Sequence, residues 1–161
     1  MSNENSIRNV IKEYLEAEDW KYKDNESGLF VARVTGKKNC NYRMYWYAVE
    51  EKTEDSYDQL VIVGVAEKTI PEDKRSDIAE FITRANYDLK LGNFQLDFRD
   101  GEFRFRVSLP TKHLTLSKDT LGYLTLLCVQ TLEDYIDGVL KVCGGVKPED
   151  AIDEIVKSFG A

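Results

Sequence analysis

Apolar positions along this chain alternate between helical and strand spacing, and the changes of period divide it into elements. Ile7, Val10, Ile11, Tyr14 and Leu15 recur at intervals of three and four, with Arg8, Asn9, Lys12, Glu13 and Glu16 between them, which predicts an amphipathic helix over about residues 6–18. After Trp20 the turn-rich run Asp24-Asn25-Glu26-Ser27-Gly28 introduces three β-prone segments, residues 29–35, 42–50 and 59–66, which read as an antiparallel meander. The second is large on both alternating sets, with Tyr42, Met44 and Trp46 on one face and Tyr45, Tyr47 and Val49 on the other. The third, Leu60-Val61-Ile62-Val63, is apolar on both faces too. Strands open to water on one side alternate polar with apolar, so these two are expected at the centre of a sheet, partly shielded on the second face as well.

Pro71, Glu72 and Asp73 set a restricted φ and negative charge where a helix begins. Ile78, Phe81, Ile82, Ala85 and Leu89 form its core stripe, Glu80, Arg84 and Asp88 its charged flank, and Tyr87 lies opposite the stripe; Gly92 is placed to end it. Two alternating strands then flank Asp100-Gly101, the preferred pair for a two-residue type I′ hairpin. That loop would set Phe98 against Phe103, Leu96 against Phe105 and Phe94 against Val107 on a core face. Asp97 would face Arg104, and Arg99 would face Glu102, on the other. The arginines Arg99, Arg104 and Arg106 are therefore read as ion-paired positions rather than an anion site.

A helix of about 37 Å follows from residue 119 to about 143, closed by Gly144-Gly145. Leu121, Leu124, Cys128, Leu132, Tyr135, Ile136, Val139 and Cys143 share one stripe, and Gln130, Glu133, Asp134, Asp137 and Lys141 form the polar face. In the first half that polar face gives way to Tyr123, Leu126 and Leu127, so the helix start needs cover on more than one side. Pro148 opens a short last helix whose predicted buried stripe is Ile152, Ile155, Val156 and Phe159. The 161 residues thus read as one α+β domain, order α-β-β-β-α-β-β-α with an extra short C-terminal helix and an antiparallel sheet packed on helices.

Composition narrows function. At 42% hydrophobic and 32% charged the chain is too apolar for disorder, and its net charge of −7 is the wrong sign for binding phosphate backbones or anionic lipid, so neither nucleic acid nor membrane is expected as a partner. The acidity is local: residues 49–58 and 133–154 together carry −9, leaving +2 elsewhere. No secretory leader is recognisable at the start, and a cytoplasmic location is expected. Cys40, Cys128 and Cys143 include no CxxC pair, and the last two lie about 22 Å apart on one helix, too far to bridge. They read as packed thiols, whereas Cys40, between Lys37, Lys38 and Arg43, is placed for a lowered pKa. The one histidine, His113, has no ligand or catalytic cluster spaced around it, and the acidic turn Glu50, Glu51, Glu54, Asp55 and Asp58 lacks the ligand order of a calcium loop. No nucleotide, hydrolase or metalloprotease motif is present; no catalytic residue, cofactor or metal is assigned.

The block from Phe81-Ile-Thr-Arg-Ala-Asn-Tyr-Asp-Leu-Lys-Leu-Gly-Asn-Phe through Asp100-Gly-Glu-Phe-Arg-Phe-Arg, and again Gly144-Gly-Val-Lys-Pro-Glu-Asp-Ala-Ile, resembles the YbjN-domain family, over about residues 6–152. That family is similar in fold to the type III secretion chaperones, small acidic dimers that bind an extended segment of another protein. The resemblance implies a non-enzymatic sensory or stress regulator and supplies no catalytic residue. Asn86, Gly92 and Asn93 read as structural, the last two as a helix cap.

The expected function is a chaperone-like or regulatory protein-interaction module, a homodimer, binding another protein by strand addition or in an apolar groove. Its candidate surface is the surplus apolar set Tyr45, Tyr47, Tyr87, Tyr123, Leu126 and Leu127. The competing structural reading is that the first and last helices cover these residues. The alternative function is a small-molecule or enzymatic pocket between sheet and long helix, with Arg43, Tyr45 or His113 as polar contacts.

Overall fold

The computed structural model describes residues 6–38, 40–49, 58–112 and 114–160. The order is α1 (Ile7–Ala17), β1 (Tyr22–Asp24), β2 (Phe30–Val34), β3 (Tyr42–Val49), β4 (Gln59–Ala66), α2 (Arg75–Asp88), β5 (Asn93–Leu96), β6 (Phe103–Pro110), α3 (Lys118–Cys143) and α4 (Pro148–Ser158). This is the expected α+β arrangement, with one addition. β1 is a three-residue strand, too short for alternation to announce, that pairs with β2. A single 3₁₀ turn over Glu72–Lys74 separates Pro71 from α2.

All six strands join one antiparallel sheet in the order β1-β2-β3-β4-β6-β5. β3 and β4 are central, as their two-sided apolar pattern predicts. The core lies between one sheet face and the helices: Tyr42, Met44, Trp46, Leu60, Ile62, Phe94, Phe103, Phe105 and Val107 meet Ile11 and Leu15 of α1, Ile78 and Phe81 of α2, Leu132 and Ile136 of α3, and Ile155 of α4. β3 is pinned to α3 by the Trp46 indole, which donates to the Thr125 hydroxyl at 2.9 Å and meets the Trp20 ring edge-on at 5.1 Å. At the crossing of β4 and α3 there is room only for glycine: a Cβ on Gly64 would lie 2.3 Å from Leu132 Cδ1.

The hairpin differs from the sequence reading in its loop. Phe94 pairs with Phe105 and Leu96 with Phe103, and the Asp97 amide donates to the Glu102 carbonyl at 2.9 Å, leaving a four-residue loop closed by Gly101 N–H to the Asp97 carbonyl at 2.8 Å. The register moves by two, so the face is preserved and Phe103, Phe105 and Val107 stay buried, but Phe98 enters the loop and is exposed. Contacts from outside the hairpin accompany the wider loop. The Ile70 amide donates to the Gly101 carbonyl at 2.8 Å and the Arg75 guanidinium to the Phe98 carbonyl at 2.9 Å. Within it, the Asp97 and Asp100 carboxylates accept from the amides of Arg99 and Glu102.

Helix ends follow elementary capping. The Ser117 hydroxyl accepts from the Thr120 amide at the start of α3; at its end Gly145 adopts φ +103° and the Val146 amide reaches back to the Lys141 carbonyl at 3.0 Å. α2 stops at Asp88, before Gly92, whose φ of +77° serves the turn into β5 instead. α4 buries Ala151 and Ile155, while Val156 and Phe159 of its predicted stripe are exposed, Phe159 keeping only an oblique ring contact with Tyr135 at 6.2 Å. α4 packs against α3 and α2, and Gly138 of α3 makes room for it: a Cβ there would lie 2.7 Å from Ile155 Cδ1.

Candidate functional site

The six surface residues predicted from sequence lie on three separate elements. Tyr45 and Tyr47 are on β3, half-buried, on the sheet face opposite the core. Tyr123 and Leu126, 64% and 54% exposed, stand on the first half of α3, with Leu127 beside them half-buried against the core. Tyr87, 89% exposed, projects from α2.

The sheet face opposite the core is built by pairing register. One row across it reads Lys23, Val31, Tyr45, Val63, Arg106 and Asn93; the next reads Arg33, Arg43, Val65, Arg104 and Gln95; a third brings Tyr47, Val61 and Ser108 together. Val61 and Val63 are 0% and 4% exposed although they lie outside the core cluster. Helices α1 and α4 pack on the other side, α1 against β3 and α3 and α4 against α3 and α2. Tyr45, Tyr47, Val63, Val65 and the Arg104–Glu102 pair line a shallow concavity of about 470 Å³ on this face.

The arginines on this face have other partners than the hairpin register implied. Arg33 makes a bidentate pair with Glu67 at 2.7 and 2.8 Å, and Arg43 reaches the same carboxylate at 3.8 Å. Arg104 donates to Gln95 Oε1 at 2.8 Å and pairs at 3.3 Å with Glu102, the residue just before its strand, rather than with Asp97. Asp97 pairs with Arg99 at 2.6 Å instead, and that guanidinium and the Arg99 amide hold its carboxyl down at about 2. Arg106 donates to the Ser108 hydroxyl at 2.8 Å and makes no ion pair among the described residues.

A second concave region flanks α3. Tyr14, Gly122, Tyr123 and Leu126 border a groove of about 580 Å³ between α1 and α3, and Leu126 also borders a hollow of about 650 Å³ with Val34, Val129 and Glu133.

The remaining chemical candidates change character in the structure. Cys40 is 2% exposed, and burial raises its thiol pKa, outweighing the nearby backbone and lysine contributions; the lowered value expected from Lys37, Lys38 and Arg43 is overturned. Cys128 is fully buried, donates to the Phe105 carbonyl at 3.7 Å, and is pushed up to about 12. Arg43 and Tyr45 point away from α3, so they do not line a pocket between sheet and long helix; there Trp46, Thr125, Gly64 and Leu132 fill the space. His113 and the acids Glu50, Glu51, Glu54 and Asp55 lie outside the described residues. Among the described residues no group of three or more histidine, cysteine or carboxylate side chains is arranged to hold a metal ion, and no helix is long and apolar enough to cross a membrane.

The family model for YbjN, described as "Putative bacterial sensory transduction regulator", matches residues 8–141, from α1 almost to the end of α3, and α4 lies beyond it. No curated protein matches the chain.

Proposed function

We propose a regulatory, protein-binding role for this chain, which belongs to the YbjN family, with a partner docking on the sheet face that carries Tyr45 and Tyr47. The observation that supports it is the placement of Val61 and Val63, buried beside two half-buried tyrosines on a face with no described helix over it. A face meant only for water would alternate to polar residues there. Docking on the face is favoured over strand addition because both edges of the sheet are short: β1 has three residues, and β5 has four, with Asn86 bonded to the backbone of Phe94. Chaperone-like handling of an extended partner segment fits the same face.

The proposal includes a cytoplasmic location, supported by three unpaired cysteines, and no catalytic step. The homodimer belongs to it through Tyr123 and Leu126: wild type should sediment as a dimer at micromolar concentration, and Leu126→Ser as a monomer. The docking face is tested by affinity capture from the source cell with wild type and with Tyr45→Ser/Tyr47→Ser. The partner should be lost from the variant at unchanged melting temperature. Equal capture of the same protein by both would remove the face from the proposal.

A further inference from the structure

The outward positions of the strands hold Lys23, Arg33, Arg43, Arg104 and Arg106 and not one carboxylate among the described residues, in a chain whose net charge is −7. Carboxylates reach this face only from just beyond strand ends. Glu67 is shared by Arg33 and Arg43; Glu102 pairs with Arg104 and lines the concavity beside it; Asp97, paired with Arg99, also lies within electrostatic reach of Arg104. One carboxylate between two guanidinium groups leaves a positive charge, and Arg106 and Lys23 have no ion pair among the described residues, so the face is locally cationic. Its positive groups border apolar ground: Arg106 is the cross-strand neighbour of Val63, and Arg43 and Arg104 flank Val65 on either side.

Resting on the docking reading above, we infer that this face takes an acidic peptide segment, its carboxylates meeting Arg104, Arg106 and Arg43 while apolar side chains fill the hollow between Tyr45 and Tyr47. The argument is charge complementarity, and the arrangement also selects against longer polyanions. Guanidinium forks beside an apolar strip can pair carboxylates and still bury hydrocarbon, the combination a mixed acidic and apolar segment supplies. A nucleic acid offers a continuous row of phosphates, and a cationic patch limited to one face of an acidic chain favours a short anion over that row. Basic segments are repelled here, which gives the face a selectivity that the apolar concavity alone does not have.

The test uses the full chain and a labelled peptide in which glutamates are interspersed with phenylalanine and leucine, with two counterparts carrying glutamine or lysine at the glutamate positions, read by fluorescence anisotropy. The acidic peptide should bind more tightly than the glutamine peptide by about five- to tenfold, the size of two partly exposed ion pairs, and should weaken with salt. Arg104→Gln/Arg106→Gln should erase that difference, while Arg104→Lys/Arg106→Lys retains part of it and guards against a folding defect. Equal binding of acidic and glutamine peptides overturns the inference, yet leaves face docking intact if Tyr45→Ser/Tyr47→Ser still abolishes both. Binding of none of the peptides overturns it as well, with docking decided separately by the capture experiment. Displacement by a single-stranded RNA oligonucleotide at lower concentration than the peptide would reassign the face to nucleic acid, and concentration-dependent self-association abolished by Arg106→Gln would reassign it to a second copy of the chain.

Discussion

Asn86 of α2 occupies both backbone groups of Phe94 in β5: its side-chain NH₂ donates to the Phe94 carbonyl at 3.1 Å, and its side-chain carbonyl accepts the Phe94 amide at 2.7 Å. A side-chain amide here does what a neighbouring strand would do, and so blunts an edge. Asn86→Ala leaves both groups of Phe94 without their partner and should cost about 1–3 kcal/mol, lowering the melting temperature by roughly 2–4 °C per kcal/mol in a chain of this size. Hydrogen exchange at the Phe94 amide should accelerate more than at Phe105. If Asn86→Ala melts like wild type and Phe94 stays protected, the bonds contribute nothing to the fold.

Gly64 tests the crossing of β4 and α3. A Cβ at that position would lie 2.3 Å from Leu132 Cδ1, 3.1 Å from Met44 Sδ and 3.2 Å from Cys128 Sγ, three side chains that are themselves fully buried. Gly64→Ala should therefore destabilise by about 1–3 kcal/mol through overpacking. Adding Leu132→Ala should recover part of the loss, a coupling that a double-mutant cycle in urea measures directly.

Much of this fold was legible in the chain because hydrophobic period reports burial. The stripes of α1 and α3 and the central place of β3 and β4 follow from it. What escaped depended on contacts distant in sequence. The Asp100-Gly101 pair suggests a two-residue loop by local chemistry, but Ile70 and Arg75 bond to the wider loop from the far end of the β4 to α2 connection. The candidate surface was legible as residues and not as a surface. Alternation separates Tyr45 from Trp46, yet only the pairing register shows that Tyr45 faces away from α3 and that Arg33, Arg43, Arg104 and Arg106, from three strands, share its face. A net charge of −7 conceals a cationic face because composition carries no register.

Thiol chemistry should be quiet in the folded protein. Burial raises all three cysteines, Cys128 up to about 12, and only Cys143 is half-buried rather than buried, so Cys143 should react first with a disulfide reagent and Cys128 last, with all three exposed in denaturant. The sign of the pH effect follows. Unfolded Cys128 ionises near 8.5 while the folded thiol holds its proton to about 12, so its share of stability is complete below about pH 8.5 and is lost as pH rises through that interval. Cys128→Ala should flatten the alkaline decline of the urea midpoint.

The Asp97 carboxyl gives the opposite sign. Folded, it is held at about 2 by Arg99, against about 3.9 in an unfolded chain, so its contribution is present above about pH 4 and is lost as pH falls toward 2. The pair is solvent-facing, which makes the effect small and salt-sensitive. An NMR titration of the side chain reads the value directly. Arg99→Gln should return it toward the ordinary carboxylate range without altering the hairpin register, since the backbone bonds of Asp97 to Glu102 and Gly101 do not involve that guanidinium.

Tyr42 is the place where a core polar group is least well served. Its ring is 0% exposed in β3 and its hydroxyl has no hydrogen bond of normal geometry among the described residues, while burial and the nearby Glu133 carboxylate both hold the phenol proton on. Glu133 is itself turned toward the β2 to β3 connection, accepting the Lys37 amide on both carboxylate oxygens at 3.2 and 3.3 Å. A buried hydroxyl without a partner costs stability, whereas a ring of the same shape without it costs nothing of that kind. Tyr42→Phe should leave the urea midpoint unchanged or raise it, by up to about 1 kcal/mol, and Tyr42→Leu should lower it through lost packing. A loss of more than about 1 kcal/mol in Tyr42→Phe would mean that the hydroxyl donates to Glu133 in solution; Glu133→Gln would then lose a comparable amount, and the two losses would not add.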